Sequence, residues 1–173
     1  LALALAAGDV VALIGDLGAG KSTLARAAIR TLADDPELEV PSPTYTLVQP
    51  YETTPPAAHL DLYRLSGDDE LDELGFEEMA RDGIVFVEWP QNAPSALAAA
   101  TVMLTLDNAP GGGRTARVSA DAEATPRILR SLAIRSFIAE AGCAEQPRRR
   151  FSGDASSRRY ETVDRDGETL VVM

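Results

Sequence analysis

The chain has 173 residues, 45% hydrophobic and 25% charged, a composition that excludes wholesale disorder and accommodates one α/β domain, or one with a small appendage. Its formal net charge of −11, from 16 Lys and Arg against 27 Asp and Glu, opposes autonomous binding to DNA or other nucleic acid. No apolar run approaches the roughly 20 residues that span a bilayer, and a single cysteine, Cys143, excludes an internal disulfide and a multi-cysteine metal site, so a cytoplasmic setting is expected.

The opening residues 1–7 have no basic flank and no initiator methionine, and read as the tail of a helix in a chain that lacks its natural start. Residues 9–14 form a β-branched run without alternation, as in a strand buried on both faces of a parallel sheet. A glycine-rich turn follows. Leu24, Ala25, Ala28, Ile29 and Leu32 then recur at helical spacing from Lys21 to Ala33. After Pro36, the stretch Pro41-Ser42-Pro43-Thr44-Tyr45-Thr46-Leu47-Val48 is expected to start as a rigid turn and become extended, because each proline disfavours helix before it.

Pro55 and Pro56 suggest a hairpin-like connection. Residues 58–63 alternate, with Leu60 and Leu62 on one face and His59, Asp61 and Tyr63 on the other, so Asp61 is expected to point away from the apolar layer. Leu71, Leu74, Phe76 and Met79 mark a helical face through an acidic segment (Asp68, Asp69, Glu70, Asp72, Glu73, Glu77, Glu78), which reads as a solvated face or, more sharply, as a docking surface for a basic partner. Gly83 opens Ile84-Val85-Phe86-Val87, a second fully buried strand that ends in Glu88.

Residues 102–106 and 115–118 read as two short strands about a turn at 108–113, and a boundary is expected at 119–125. From Pro126, the spacing of Ile128, Leu129, Leu132, Ala133, Phe137 and Ile138 describes an amphipathic helix ending at Gly142. Arg148, Arg149, Arg150, Arg158 and Arg159 form a basic cluster. Residues 149–161 and 169–173 read as two strands of an incomplete hairpin about the Asp166-Gly167 turn. The expected fold class is α/β, a P-loop NTPase with a mostly parallel central sheet flanked by helices, over residues 1–120, and a short truncated α+β extension over 121–173.

Chemistry concentrates in residues 15–22, Gly-Asp-Leu-Gly-Ala-Gly-Lys-Ser, which fit G-x-x-x-x-G-K-[ST] between a buried strand and a helix. Glycines let backbone N–H groups close around phosphate oxygens, and the helix N-terminus adds a favourable dipole. Lys21 is expected to reach the β and γ phosphates and Ser22 to offer its hydroxyl to magnesium. Phosphoryl chemistry also needs a carboxylate near the metal, delivered from the end of a core strand. Glu88 ends the most hydrophobic strand, as a Walker B acid should. Asp61 ends the alternating strand, where it binds a metal water or orients the attacking water. Thr44 and Thr46 are either γ-phosphate sensors in a switch-like loop or ordinary turn residues. Trp89 either stacks beside nucleotide or partner or is packing, and His59, with no Cys or His neighbour, is not read as a metal ligand.

Four segments together, residues 15–23, Ser42-Pro43-Thr44-Tyr45-Thr46-Leu47-Val48, His59-Leu60-Asp61-Leu62-Tyr63-Arg64-Leu65 and Val87-Glu88-Trp89-Pro90, resemble the TsaE family, bacterial ATPases of tRNA threonylcarbamoyladenosine synthesis. The resemblance implies an ATPase that works with TsaB and TsaD in the threonylcarbamoylation of adenosine 37 and meets tRNA only through that complex. It implies ATP contacts from Asp16, Leu17, Gly18, Ala19, Gly20, Lys21, Ser22, Thr23 and Thr44, magnesium ligation by Ser22 and Glu88, a functional acid in Asp61, and Trp89 in the same site. Gly113 and Arg114 match the family's late glycine-arginine step, which closes over the nucleotide. Residues 151–160 resemble the opening of an aminoglycoside-phosphotransferase-like sugar kinase.

Two other classes stay open. A P-loop small-molecule kinase has the same donor site, and a nucleotide-dependent assembly switch needs no significant turnover of its own. A GTPase is disfavoured: Asp72-Glu73-Leu74-Gly75 satisfies D-x-x-G only within the acidic helical segment, and no N-K-x-D motif exists.

Overall fold

β1 (Val10–Ile14) forms because its side chains find apolar cover on both sides: Val11 and Leu13 pack in one core with α1 (Lys21–Ala33), and Val10 packs in a second core on the opposite face. The computed structural model describes residues 1–109, 111–151 and 160–172. The opening residues expected to be a helix tail are a single 3-10 turn, Ala2–Ala4, packed into the first core.

β2 (Val48–Tyr51) and β3 (Ala57–Asp61) pair antiparallel across the proline connection, as the prolines suggested. The acidic segment is not one helix. α2 (Asp68–Glu73) stops and α3 (Phe76–Asp82) restarts at Gly75, whose φ of +72° is a left-handed conformation that an L side chain rarely adopts. β4 (Ile84–Glu88) alternates between the two cores, with Ile84 and Phe86 in the first and Val85 and Val87 in the second. A short α4 (Pro94–Ala98) follows; its five residues give too little periodicity to have been read from sequence. β5 (Val102–Asn108) and β6 (Arg114–Ala120) run longer than the expected segments, since their antiparallel ladder continues from Val102–Ala120 to Asn108–Arg114.

The six-stranded sheet has the order β2-β3-β4-β1-β5-β6. β3, β4, β1 and β5 run parallel, and β2 and β6 close the edges antiparallel. The chain moves to one side of β1 for β3 and β4 and to the other for β5. The carboxyl ends of the parallel strands next to β1 therefore flank a topological switch point, where such sheets bind ligands.

α5 (Ala124–Glu140) starts slightly before the expected Pro126, because the Asp121 carboxylate accepts the N–H groups of Glu123 and Ala124. Its apolar face is narrower than expected. Leu129, Leu132 and Phe137 are exposed, and the buried stripe is Ala124, Ile128, Ser131, Ile134 and Ile138. Ala124 and Ile128 join the first core, while Ile134 and Ile138 cover Cys143 and Val163 in a third. That third core takes in Val163 of β8 (Glu161–Arg165) and packs against Leu170 and Val172 of β9 (Glu168–Val172), which with β7 (Arg148–Arg150) form a three-stranded antiparallel sheet. β8 and β9 turn about Asp166-Gly167, both at positive φ, as expected, but the strand that meets β9 begins only at Glu161; the start of the expected 149–161 strand is β7, which pairs with β8. Arg158 and Arg159 of the basic cluster lie outside the described residues.

An ion pair between a half-buried arginine and a buried aspartate ties α5 to the start of β1. Arg127 donates from both terminal nitrogens to Asp9 at 2.7 and 2.8 Å and also to the Ala4 carbonyl at 2.7 Å. Burial pushes the Asp9 carboxyl up, but the Arg127 guanidinium, the Ala6 N–H and the Thr101 hydroxyl outweigh it and hold the group below its ordinary value. Arg127→Ala is expected to cost about 3 kcal/mol at neutral pH, because it strands a buried carboxylate. The native Asp9 pKa lies below the unfolded one, so its stabilisation is complete above about pH 4 and is lost as pH falls through the native value. Urea melts of wild type and variant should differ equally at pH 7 and pH 8, and the gap should shrink on acidification below about pH 4.

Candidate nucleotide site

The loop after β1 is shaped by its glycines. A Cβ on Gly15, at φ +153°, would lie 2.6 Å from the Leu106 carbonyl oxygen on β5, so only glycine lets the loop leave the sheet there. Gly18 and Gly20 take φ of +77° and +104°, and Gly20 caps α1 without a side chain, leaving the first-turn N–H groups for an incoming anion. Leu17 is exposed at the loop tip, Asp16 beside it accepts the Ala19 N–H through its carbonyl, and Ala19 is buried. Ser22 and Thr23 follow Lys21 in the first turn of α1.

Lys21 is 4% exposed. Its ammonium donates to the carbonyls of Gly15 at 2.8 Å and Asp16 at 2.9 Å, and sits 3.9 Å from the centroid of the Trp89 ring. Burial lowers the Lys21 pKa, while the charges of Glu88, Asp61 and Asp16 pull it back up. Trp89 leaves β4 at φ +57°, a left-handed conformation uncommon for a bulky residue, and its ring meets Tyr63 at 5.0 Å.

The two carboxylates arrive by strand register. Asp61 lies opposite Glu88 across the parallel β3–β4 pair, and Glu88 opposite Leu13 across β4–β1, immediately before the P-loop. Both acids are buried: β3 alternates as expected, with Ala58 and Leu60 in the second core and Asp61 off it, and all five of its residues are covered. Asp61 accepts the Thr44 hydroxyl at 2.8 Å and the Tyr63 N–H at 3.1 Å, with Ser42 Oγ 3.0 Å from Thr44. Of the two loop threonines, Thr44 is the one joined to Asp61. Arg114 reaches back from β6 to the Gly18 carbonyl at 3.1 Å, whereas Gly113 closes the β5–β6 turn by accepting the Ala109 N–H.

Two residues outside the expected set belong to this arrangement. His59 Nε2 lies 2.8 Å from Glu88 Oε1, and Asn92 donates to the carbonyls of Leu62 and Tyr63 at 2.9 and 3.1 Å, tying the turn after Trp89 to the exit of β3. The H-x-D spacing, two same-face positions on one strand, carried a signal for His59. Asn92 had none, because its contacts join segments thirty residues apart in sequence.

The donor set suits a magnesium ion brought by a nucleotide. Among the described residues no group of three or more His, Cys, Asp or Glu is placed to hold a metal alone. A hydroxyl at Ser22 and a carboxylate at Glu88 suffice for an ion whose remaining ligands are phosphates and water.

A strand, glycine loop and helix at the switch point of a mainly parallel sheet, with carboxylates on the adjacent strand ends, define a P-loop nucleotide-binding fold. The family model for "Threonylcarbamoyl adenosine biosynthesis protein TsaE" matches residues 1–116, and the chain belongs to this family. It is 40% identical over 92 residues to a protein of Rickettsia felis named tRNA threonylcarbamoyladenosine biosynthesis protein TsaE, covering 53% of each chain. A protein of the same name from Streptomyces coelicolor is 37% identical over 115 residues, 64% of this chain and 76% of that one. Against the Rickettsia felis and Rickettsia conorii proteins the chain spans about half their length, 53% and 52%. The crystal structure of Bacillus subtilis YdiB shares the fold, with a TM-score of 0.58 and 23% identity over 78% of this chain and 84% of that one.

The family match ends before the extension. Residues 152–159, the middle of the stretch resembling a sugar kinase, lie outside the described residues. Among the described residues, no helix is long and apolar enough to cross a membrane.

Proposed function

We propose that this chain is the ATP-binding and ATP-hydrolysing subunit that supports threonylcarbamoylation of adenosine 37 in tRNA, acting in the cytoplasm with TsaB and TsaD and meeting tRNA only through them. The observation that carries the proposal is the convergence of Lys21, Asp61 and Glu88 at one end of the sheet: the ammonium sits within the influence of both carboxylates. We assign residues 1–120 to this ATPase unit and 121–173 to an appended unit whose helix α5 packs on it through Ala124, Ile128 and Arg127.

In this reading the P-loop N–H groups and Lys21 bind and orient the β and γ phosphates. Ser22 and Glu88 hold magnesium, which when bound neutralises triphosphate charge. Asp61, held by Thr44 and the Tyr63 N–H, orients the attacking water and accepts its proton. Thr44 carries the state of the loop at residues 41–47 to Asp61. Arg114, already on the Gly18 carbonyl, closes over the phosphates, and Trp89 and Tyr63 wall the cleft.

The purified chain should hydrolyse ATP slowly, and addition of TsaB and TsaD should raise turnover at least about tenfold, the range expected when a partner completes a preorganised site. Absence of any effect of the partners, together with phosphorylation of a small-molecule acceptor, would establish the kinase reading instead.

A further inference from the structure

We propose that His59 is the positioning residue for Glu88: its imidazole holds one carboxylate oxygen inward so that the other faces the magnesium side of the cleft. This rests on the reading of Glu88 as the magnesium-site acid.

His59 and Asp61 share a face of β3, two residues apart, and the β3–β4 register places them opposite Phe86 and Glu88. The His59–Glu88 contact is therefore a diagonal cross-strand pair that reaches towards the carboxyl ends of the strands. Both side chains are almost fully buried, at 1% and 3% exposure, and Nε2 lies 2.8 Å from Oε1. A carboxylate oxygen accepts, so Nε2 carries the hydrogen. Glu88 Oε2 makes no hydrogen bond to the described residues, yet it is not a buried unpaired atom; those are Tyr51 Oη and His59 Nδ1. One oxygen is tied and the other is neither hydrogen-bonded to the described residues nor sealed from solvent, on a side chain whose charge acts on Lys21.

The unpaired Nδ1 marks the histidine as more than filler. A buried nitrogen without a partner costs stability, and an apolar side chain would fill the same space without that cost. What only the polar ring supplies is the Nε2–H on Glu88. Groups that orient metal-binding side chains typically change metal affinity by about 10- to 100-fold when removed.

The test is calorimetric titration of ATPγS into the whole chain, first in EDTA and then at rising MgCl2, with a thermal melt of each variant. His59→Leu should raise the Mg2+ concentration for half-maximal tightening by about 10- to 100-fold and leave the EDTA affinity within about threefold. His59→Gln, whose amide nitrogen reaches as far as Nε2, should restore the wild-type value, while the shorter His59→Asn should not. If His59→Leu fails to fold, the comparison of Gln with Asn carries the test. Wild-type Mg2+ dependence in His59→Leu, or equal impairment in Gln and Asn, overturns the proposal. Glu88→Ala separates the two levels. An unchanged Mg2+ dependence there removes the underlying assignment of Glu88 and the role of His59 with it, whereas a shift in Glu88→Ala but not in His59→Leu removes only the latter.

Discussion

Lys21→Ala is expected to lower ATP turnover by about 10³-fold, the loss typical when one preorganised electrostatic group is removed from a buried site, and to abolish ATP binding measurable by calorimetry. The ammonium is almost fully covered, so its charge acts through a medium that screens poorly. Its present partners are neutral: two loop carbonyls and an indole face. A phosphate oxygen forms a stronger, charge-assisted bond than either carbonyl, so the ammonium exchanges partners on nucleotide binding. Lys21→Arg should not rescue, because a planar fork replaces a compact charge in a closed loop.

The loss should not come from unfolding. α1 is anchored in the first core by Ala25, Ala28 and Ile29. Burial lowers the Lys21 pKa, so the native state disfavours the charged form and neutral pH is where this opposes folding. Lys21→Ala should therefore melt no lower than wild type. Trp89, the chain's single tryptophan, loses the cation above its ring in this variant, and its emission should change. Wild-type ATP affinity in Lys21→Ala would remove the P-loop assignment altogether.

Glu88→Ala is expected to reduce magnesium-dependent hydrolysis by about 10²- to 10³-fold while ATP affinity stays within about fivefold, because the P-loop amides and Lys21 remain in place. Glu88→Gln should lose comparable turnover, since the amide keeps the shape and not the charge. Stability separates the two variants. Alanine leaves His59 with neither ring nitrogen paired, at a cost of about 1–3 kcal/mol, whereas glutamine retains an acceptor for Nε2. Full activity in Glu88→Ala would move the metal-site role elsewhere, with Asp61 the remaining strand-end acid.

The legible parts of the site were those in which chemistry is written in consecutive residues. The P-loop shows because several glycines, a lysine and a serine act within one turn, and Glu88 shows because a run of buried apolar residues ends abruptly in a charge. The hairpin at Pro55-Pro56 and the turn at Asp166-Gly167 show because proline and positive-φ chemistry are local. Less legible were features decided by what lies opposite. The alternation of β3 placed His59 and Asp61 on one face, but not that the fold covers that face as well. On α5 the apolar residues outnumber the positions the fold can bury, so sequence could not say that Ile134 would be covered while Phe137 would not.

By itself, then, the sequence determined the P-loop, the strand–loop–helix order around it, the two strand-end acids and the family to which those motifs belong, because each rests on local backbone chemistry or on short-range periodicity. Tertiary structure alone decided that Asp61 and Glu88 stand side by side, that His59 binds Glu88, that Lys21 lies on Trp89 and that Asn92 ties the two strand exits together. Those contacts depend on parallel register between strands far apart in the chain, and register is set by packing on both faces of the sheet at once.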